Sequence, residues 1–365
     1  MQATPGAGYT FQQGGSVPGH VTFVPGGVAR NIAHSLVLLA DSEITASNAP
    51  LPLLITAVGD DSAGKSLVDS CLKLGMNSKG ILSVPGGATP CVSIIFDGGG
   101  DVAASVADVA LLETQLTAAQ LAAYTRDIEN SYSVLIDGDL SQDAIKAVCS
   151  VIRNCVGKRP LLFFEPVSAP KSMRAVPFLS VLDYASPNVA ELKAMAGALL
   201  HKRKLRSQCE RRNAAGGDGR FYFSEIEKAL HAARPLLQLV LEEGLGNVVL
   251  TLGGLGAALC TLSADKSSII ISHAPALPAT IVNCSGAGDC LVAGFLHGLT
   301  HHTENPVHAL AMGVAAAKRA VQSDSNVPTS LIASQLETKA VKIVKESIKV
   351  YTLPCGCCCE SCCGI

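Results

Sequence analysis

Beyond about residue 50 the chain alternates between short unbroken apolar runs and longer stretches whose apolar positions recur every three or four residues. A short apolar run bounded by turn residues marks a strand buried on both faces, and the three-to-four spacing marks a helix with one face on a core. Strands are expected at LLITAVG (53–59), CVSIIFD (91–97), YSVLIDG (132–138), PLLFFEPV (160–167), NVVLTLG (247–253) and GAALCTL (256–262), with a strand end at VLDYASPN (181–188). Helices are expected after Ala63 and over 117–129, 141–156, 189–200, 229–244, 286–301 and 306–323. Buried strands alternating with helices predict an α/β fold: a mostly parallel central sheet covered on both faces, with ligands at the carboxyl ends of its strands.

Two stretches break this rhythm. GGSVPGHVTFVPGG (14–27) and ILSVPGGATPCVSIIFDGGGDVAASVAD (81–108) are short, rich in Gly and Pro, and β-like. Together they predict a small separate sheet, a lid whose pieces lie at about 8–26 and 82–107. A third irregular stretch, about 201–220, is crowded with Lys and Arg. It reads as a solvated insertion loop or, more sharply, as a targeting or anion-binding patch.

Composition narrows the class. The 365 residues are enough for a large core, and 34 of them are Gly. A formal net charge of −2 offers no general case for a nucleic-acid partner. No apolar run reaches the roughly 18 to 20 residues that span a bilayer, and the N-terminus lacks the basic start and apolar segment of a signal peptide. A cytoplasmic protein is expected. Eight of the 14 cysteines are scattered through the chain, most of them in apolar contexts, and six crowd into LPCGCCCESCCGI at 353–365. Residues 1–349 are thus read as one catalytic domain and 350–365 as a disordered Cys-rich tail, with prenylation, acylation or a soft metal as alternatives for the tail.

Two segments compete as a phosphate site. GDDSAGKS (59–66) fits the P-loop spelling G-x-x-x-x-G-K-[ST], and SVLIDGD could supply an acidic strand for it. Asp60 and Asp61, however, would put two negative charges into a cradle meant for polyphosphate. In VNCSGAGDCLVAGFLHGL the small residues Gly286, Ala287 and Gly288 open a helix, so backbone amides and the helix dipole can meet an anion. Asp289 in that first turn would repel phosphate. It makes sense as a base that takes a proton from an attacking hydroxyl. In PGGVARNIAHSLVLLA, likewise, two glycines open a helix and Asn31 projects from its first turn.

As a set, GGVARNIA (26–33), AVGDDSAG (57–64), SPNVAEL (186–192), TLGGLGA (251–257) and NCSGAGDCLVAGF (283–295) resemble, in order, the motifs of the PfkB (ribokinase-like) sugar and nucleoside kinases. The resemblance implies a three-layer α/β/α fold with a β-sheet lid, ATP and Mg2+ as cofactors, and a small-molecule acceptor; K+ dependence and a homodimer stay open. It makes Asp289 the general base and Gly286, Ala287 and Gly288 the anion hole. Gly27, Asn31, Asp108 and Glu165 fall at substrate-side positions, although Asp108 also reads as a lid-hinge residue and Glu165 as a plain strand-end carboxylate. Asn188 and Glu191 match an N-x-x-E motif that organises magnesium, with Glu191 nearest the metal. Thr251, Gly253, Gly256 and Asn326 fall on the nucleotide side.

Within that family the V-A-R-N form of the first motif, SVADV (105–109) and Asn283 resemble the pseudouridine kinases. The reaction implied is ATP plus pseudouridine giving pseudouridine 5′-phosphate and ADP. Ribose, adenosine or inosine are alternative acceptors. The family's first central strand, ending in G-x-x-x-x-D, has no counterpart after Met1. That departure leaves a truncated, non-catalytic nucleoside binder as a further alternative.

Overall fold

The computed structural model describes residues 1–6, 8–10, 14–44, 51–97, 102–206, 224–301 and 305–356. It divides into two compact units, one made of Met1–Ala123, Asp139–Ala144 and Leu277–Val344, the other of Tyr124–Gly138, Ile145–Ala276 and Lys345–Ile365.

The first unit opens on a short antiparallel pair, Gln2–Pro5 (β1) and Gly19–Thr22 (β2). Thr56–Gly59 (β3) and Ile81–Val84 (β4) pair in parallel as a two-stranded sheet. Cys91–Phe96 (β5) and Val102–Asp108 (β6) form an antiparallel pair, and β1 joins β5 in parallel, giving the strand order β2-β1-β5-β6. The small sheet thus draws on both irregular stretches of the sequence, but with shifted bounds: it takes in Gln2–Pro5, and Ile81–Val84 pairs with β3 instead.

The helices of this unit pack by apolar shape. In Ala287–His301 every residue from Cys290 to Leu299 is buried, as expected of a helix that is apolar all round. Its neighbour Pro306–Val321 comes so close that a Cβ on Gly298 would lie 2.6 Å from the Cα of Ala309. The helix Val28–Ile44 packs on Ala287–His301 and sends Ala33 and Val37 into a core shared with Leu54, Cys71 and Met76.

The second unit carries the larger sheet. Its strands are Ser133–Asp137 (β7), Leu161–Glu165 (β8), Tyr184–Ala185 (β9), Asn247–Thr251 (β10), Ala257–Leu262 (β11), Ser268–Ala274 (β12) and Lys349–Pro354 (β13), in the order β13-β12-β11-β10-β9-β8-β7. Pairing is parallel from β7 through β10. Leu162, Phe163 and Phe164 of β8 and Val248, Val249 and Leu250 of β10 are at most 1% exposed, the continuous burial of a parallel sheet covered on both faces. Beyond β10 the pairing turns antiparallel.

The tail needs a correction. Residues 350–354, read above as part of a disordered tail, form the edge strand β13, paired to β12 over six positions. The reason is local: Val350, Tyr351 and Thr352 suit a strand, and Leu353 is buried. The chain is then clamped. Arg234 donates to the Pro354 carbonyl at 2.8 Å, and the Gln238 amide both donates to and accepts from the Gly356 backbone at 2.9 Å. Cys355 donates its amide to the Ser267 carbonyl at 2.8 Å; the other five tail cysteines, and residues 207–220 of the basic stretch, lie outside the described residues, while 201–206 continue the helix Val189–Arg206.

Candidate active site

The Pro25-Gly26-Gly27 turn starts the helix Val28–Ile44, whose first bond runs from the Asn31 amide to the Gly27 carbonyl at 2.8 Å. Asn31 is 4% exposed, and its Nδ2 donates to Asp289 Oδ2 at 2.6 Å. Residues far apart in sequence are thereby joined at the start of two helices. Arg30, 9% exposed, folds back on the turn, donating to the Gly26 carbonyl at 3.0 Å and the Pro25 carbonyl at 3.1 Å, and to Asn31 Oδ1. Sequence reasoning left Arg30 out of the site. The available signal was a lone cation among the apolar and small residues of GGVARNIA.

Gly286 turns the chain into the helix that carries Asp289. Its φ is 80°, and a Cβ there would sit 2.0 Å from the Asn326 carbonyl oxygen. Asn283 caps this turn by accepting from the Ser285 amide at 2.9 Å. A Cβ on Gly288, by contrast, would meet nothing within 4 Å, so the backbone there is open to approach. Asn326, expected on the nucleotide side, lies against Gly286. Its Nδ2 donates to the Pro25 carbonyl at 3.4 Å, and its buried Oδ1 has no partner among the described residues.

Burial pushes the Asp289 carboxyl up to about 6, against the opposing pull of the Asn31 hydrogen bond and the Arg30 charge. That is an acid held near neutrality, where a general base works best. Asp108 stands apart from this group: it is exposed at the end of β6, and no hydrogen bond among the described residues joins it to Asn31 or Asp289.

The competing segment is closed to phosphate by its own side chains. Asp61 caps the helix Ser62–Lys73, accepting from the Gly64 amide at 2.8 Å with one oxygen and from the Thr89 amide at 2.8 Å with the other. The Thr89 hydroxyl also donates to Asp61 at 2.6 Å, and this bond first, then the two amide bonds, holds its carboxyl at about 2, well below its ordinary range. Asp60 accepts from the Gly86 amide at 3.1 Å. A carboxylate fills the place where a P-loop would receive phosphate, and Lys65 is exposed on the helix surface.

In the second unit the remaining residues gather along the carboxyl edge of the parallel strands. Glu165 ends β8 and accepts from the Ser186 hydroxyl. Thr251 ends β10, bridges in parallel to Asn188, and donates its amide to the Pro187 carbonyl at 3.0 Å. Gly253 and Gly256 make the following turn, closed by Leu252 N–H on the Gly256 carbonyl at 2.9 Å. Asn188 and Glu191 cap the helix Val189–Arg206 reciprocally: each side chain accepts from the other's backbone amide at 2.9 Å. Burial raises the Glu191 carboxyl above its ordinary value. The N-x-x-E spelling therefore has a structural use whether or not it also meets a cation.

These features fit a nucleotide and a divalent ion. The open backbone at Gly288 on a helix N-terminus suits phosphate oxygens. Among the described residues no group of three or more His, Cys, Asp or Glu could hold a metal. Glu191, in the second unit, could offer a divalent ion one carboxylate.

Comparison with known proteins identifies the family and the fold. The family model described as pfkB family carbohydrate kinase matches residues 7–330. A pseudouridine kinase of Arabidopsis thaliana is 32% identical over 351 residues, covering 86% of this chain and 86% of the relative. One from Escherichia coli (strain K12) is 26% identical over 291 residues, covering 79% of this chain and 78% of the relative. A Ribokinase II candidate from E. coli, solved in complex with ATP and Mg2+, superposes with a TM-score of 0.64 at 18% identity, covering 94% of this chain and 96% of that one. The fold is ribokinase-like α/β, and the chain belongs to the pfkB family of carbohydrate kinases, phosphotransferases that act on a hydroxyl group.

Proposed function

We propose that the protein phosphorylates the 5′-hydroxyl of pseudouridine, with ATP as donor and Mg2+ as its counter-ion. The observation that carries this reading is the Asp289 carboxylate in the first turn of a helix opened by Gly286-Ala287-Gly288, held at 2.6 Å by Asn31. Asp289 receives the proton of the attacking hydroxyl. Asn31 and Gly27 face the ribose, and the amides after Gly286 receive the phosphoryl oxygens. The metal, when bound, neutralises charge on the phosphates. Glu191 and Asn188 order its surroundings, and Thr251, Gly253 and Gly256 line the nucleotide. Support for the substrate is the similarity to two pseudouridine kinases across most of the chain.

The test mixes the protein with ATP, Mg2+ and one acceptor at a time and measures ADP and the phosphorylated product. Pseudouridine should be preferred over uridine and over ribose. Equal use of uridine would defeat the substrate assignment and leave a pfkB kinase for another sugar or nucleoside. No turnover with any acceptor would favour a nucleoside-binding role.

A further inference from the structure

Amide orientation in a site is set by the partners on each side. A guanidinium has only donors, so the atom of Asn31 that faces Arg30 must be its oxygen. The nitrogen is then left to face Asp289, where it donates at 2.6 Å. Were the Asn31 amide turned round, a carbonyl oxygen would face the carboxylate and an NH2 would face the guanidinium, a clash of like partners on both sides. Arg30 itself has little freedom to move away. It is 9% exposed and tied to the Gly26 and Pro25 carbonyls at 3.0 and 3.1 Å. Asn326 reaches the same Pro25 carbonyl from beside Gly286.

We infer that Arg30 is a positioning residue for phosphoryl transfer: it locks the Asn31 amide so that one oxygen of Asp289 is always satisfied and the other is left for the hydroxyl proton. This rests on Asp289 acting as the base. Arg30 acts on it through Asn31 and through charge, because it forms no direct ion pair with Asp289 among the described residues, yet its charge favours the ionised carboxylate. The other titratable groups near this chain of contacts are Cys290, which follows Asp289 in its helix, and, around Arg30, Cys71 and His34. Burial raises both thiols and lowers the imidazole, so all three are neutral at pH 7 and Arg30 is the cation that matters.

The inference is tested with Arg30→Met, Asn31→Ala, the double variant and Arg30→Lys, each checked for a cooperative melt, reading kcat and kcat/KM against pH. With Arg30→Met the acid limb of the kcat/KM profile should move up by about one pH unit, the typical influence of a nearby opposite charge. At pH 6 kcat/KM should fall about fivefold in consequence, since the ionised fraction of a base at about 6 drops from a half to about a tenth. In the Asn31→Ala background the same change should lower the pH-independent kcat less than twofold, since neighbours acting through one another do not add. Arg30→Lys keeps the charge without the planar fork. It should hold the acid limb but lose plateau kcat, and it serves alone if Arg30→Met fails to fold. An unmoved acid limb in Arg30→Met, or strict additivity with Asn31→Ala, overturns the inference; so does a change confined to KM, which would make Arg30 a substrate contact. Asp289→Asn run alongside separates the two levels. If that variant keeps turnover, the base assignment itself fails. If it loses turnover while the Arg30 variants behave as wild type, only the role of Arg30 fails.

Discussion

Asp289 is an acid held where burial opposes its charge. Burial raises it to about 6, so its carboxylate form accumulates only above that pH. As the base it should make kcat/KM climb about tenfold per pH unit below 6 and level off above, once the carboxylate predominates. Asp289→Asn should keep nucleotide affinity within a few-fold while turnover falls by roughly 10² to 10⁴. The stability consequence has a definite sign. A carboxyl raised in the folded state is favourable when protonated, and that contribution is lost as pH rises through about 6. Asp289→Asn should therefore melt no lower than wild type at pH 8, and any advantage should vanish by pH 4; a clearly lower melting temperature at pH 8 would count against the buried-charge account. Much of this was legible in the sequence, because Gly286-Ala287-Gly288-Asp289 and Gly27 with Asn31 are local spellings with local reasons. What was hidden was long-range. Nothing near Asn326 announces that its carbonyl closes on Gly286, nor near Arg30 that its guanidinium faces Asn31.

At the scale of elements, two helix starts carry spellings with more than one meaning. At Ser62–Lys73 the P-loop spelling is silenced by Asp61, which spends its oxygens on Gly64 and Thr89. Lys65→Ala should leave kinase activity within about twofold, as for most surface changes; a hundredfold loss in a steady-state assay would revive the P-loop reading. At Val189–Arg206, Asn188 and Glu191 form a capping box. Glu191→Gln can still accept at the cap, so it should lose less than about 1 kcal/mol of stability, within the range of a cap interaction. If Glu191 also orders the metal, the same variant should raise the Mg2+ concentration needed for half-maximal turnover. Unchanged magnesium dependence would leave the box purely structural. The strongly periodic elements were readable, while β12 and β13 were not recognised beforehand. SSIIISHA follows a turn built by Asp265, whose carboxylate accepts from Ser263 and Ser267. KVYTLP buries only Leu353, too little to show a period. The run expected as one helix over 117–129 is two short ones, Ala118–Ala122 and Thr125–Glu129.

For the whole molecule, substrate choice and chain order are the remaining questions. Pseudouridine joins its base to ribose through carbon and so presents a ring N–H that uridine lacks. We propose Asp108, placed on the substrate side by the resemblance and exposed at the end of β6, as the carboxylate that accepts from it. Asp108→Ala should narrow the ratio of kcat/KM for pseudouridine over uridine by a few-fold, and more than it slows ATP turnover, because an exposed carboxylate that loses its donor is still met by water. An unchanged ratio would return Asp108 to the role of a hinge residue. The edge strand β13 has a consequence for biosynthesis. Residues 275–348 lie between β12 and the strand that covers it, and the helix bearing Asp289 is among them. On the ribosome, the base is therefore translated well before the larger sheet is sealed. A nascent chain paused after residue 348 would hold every residue assigned to catalysis and yet leave β12 as an open template for a foreign strand.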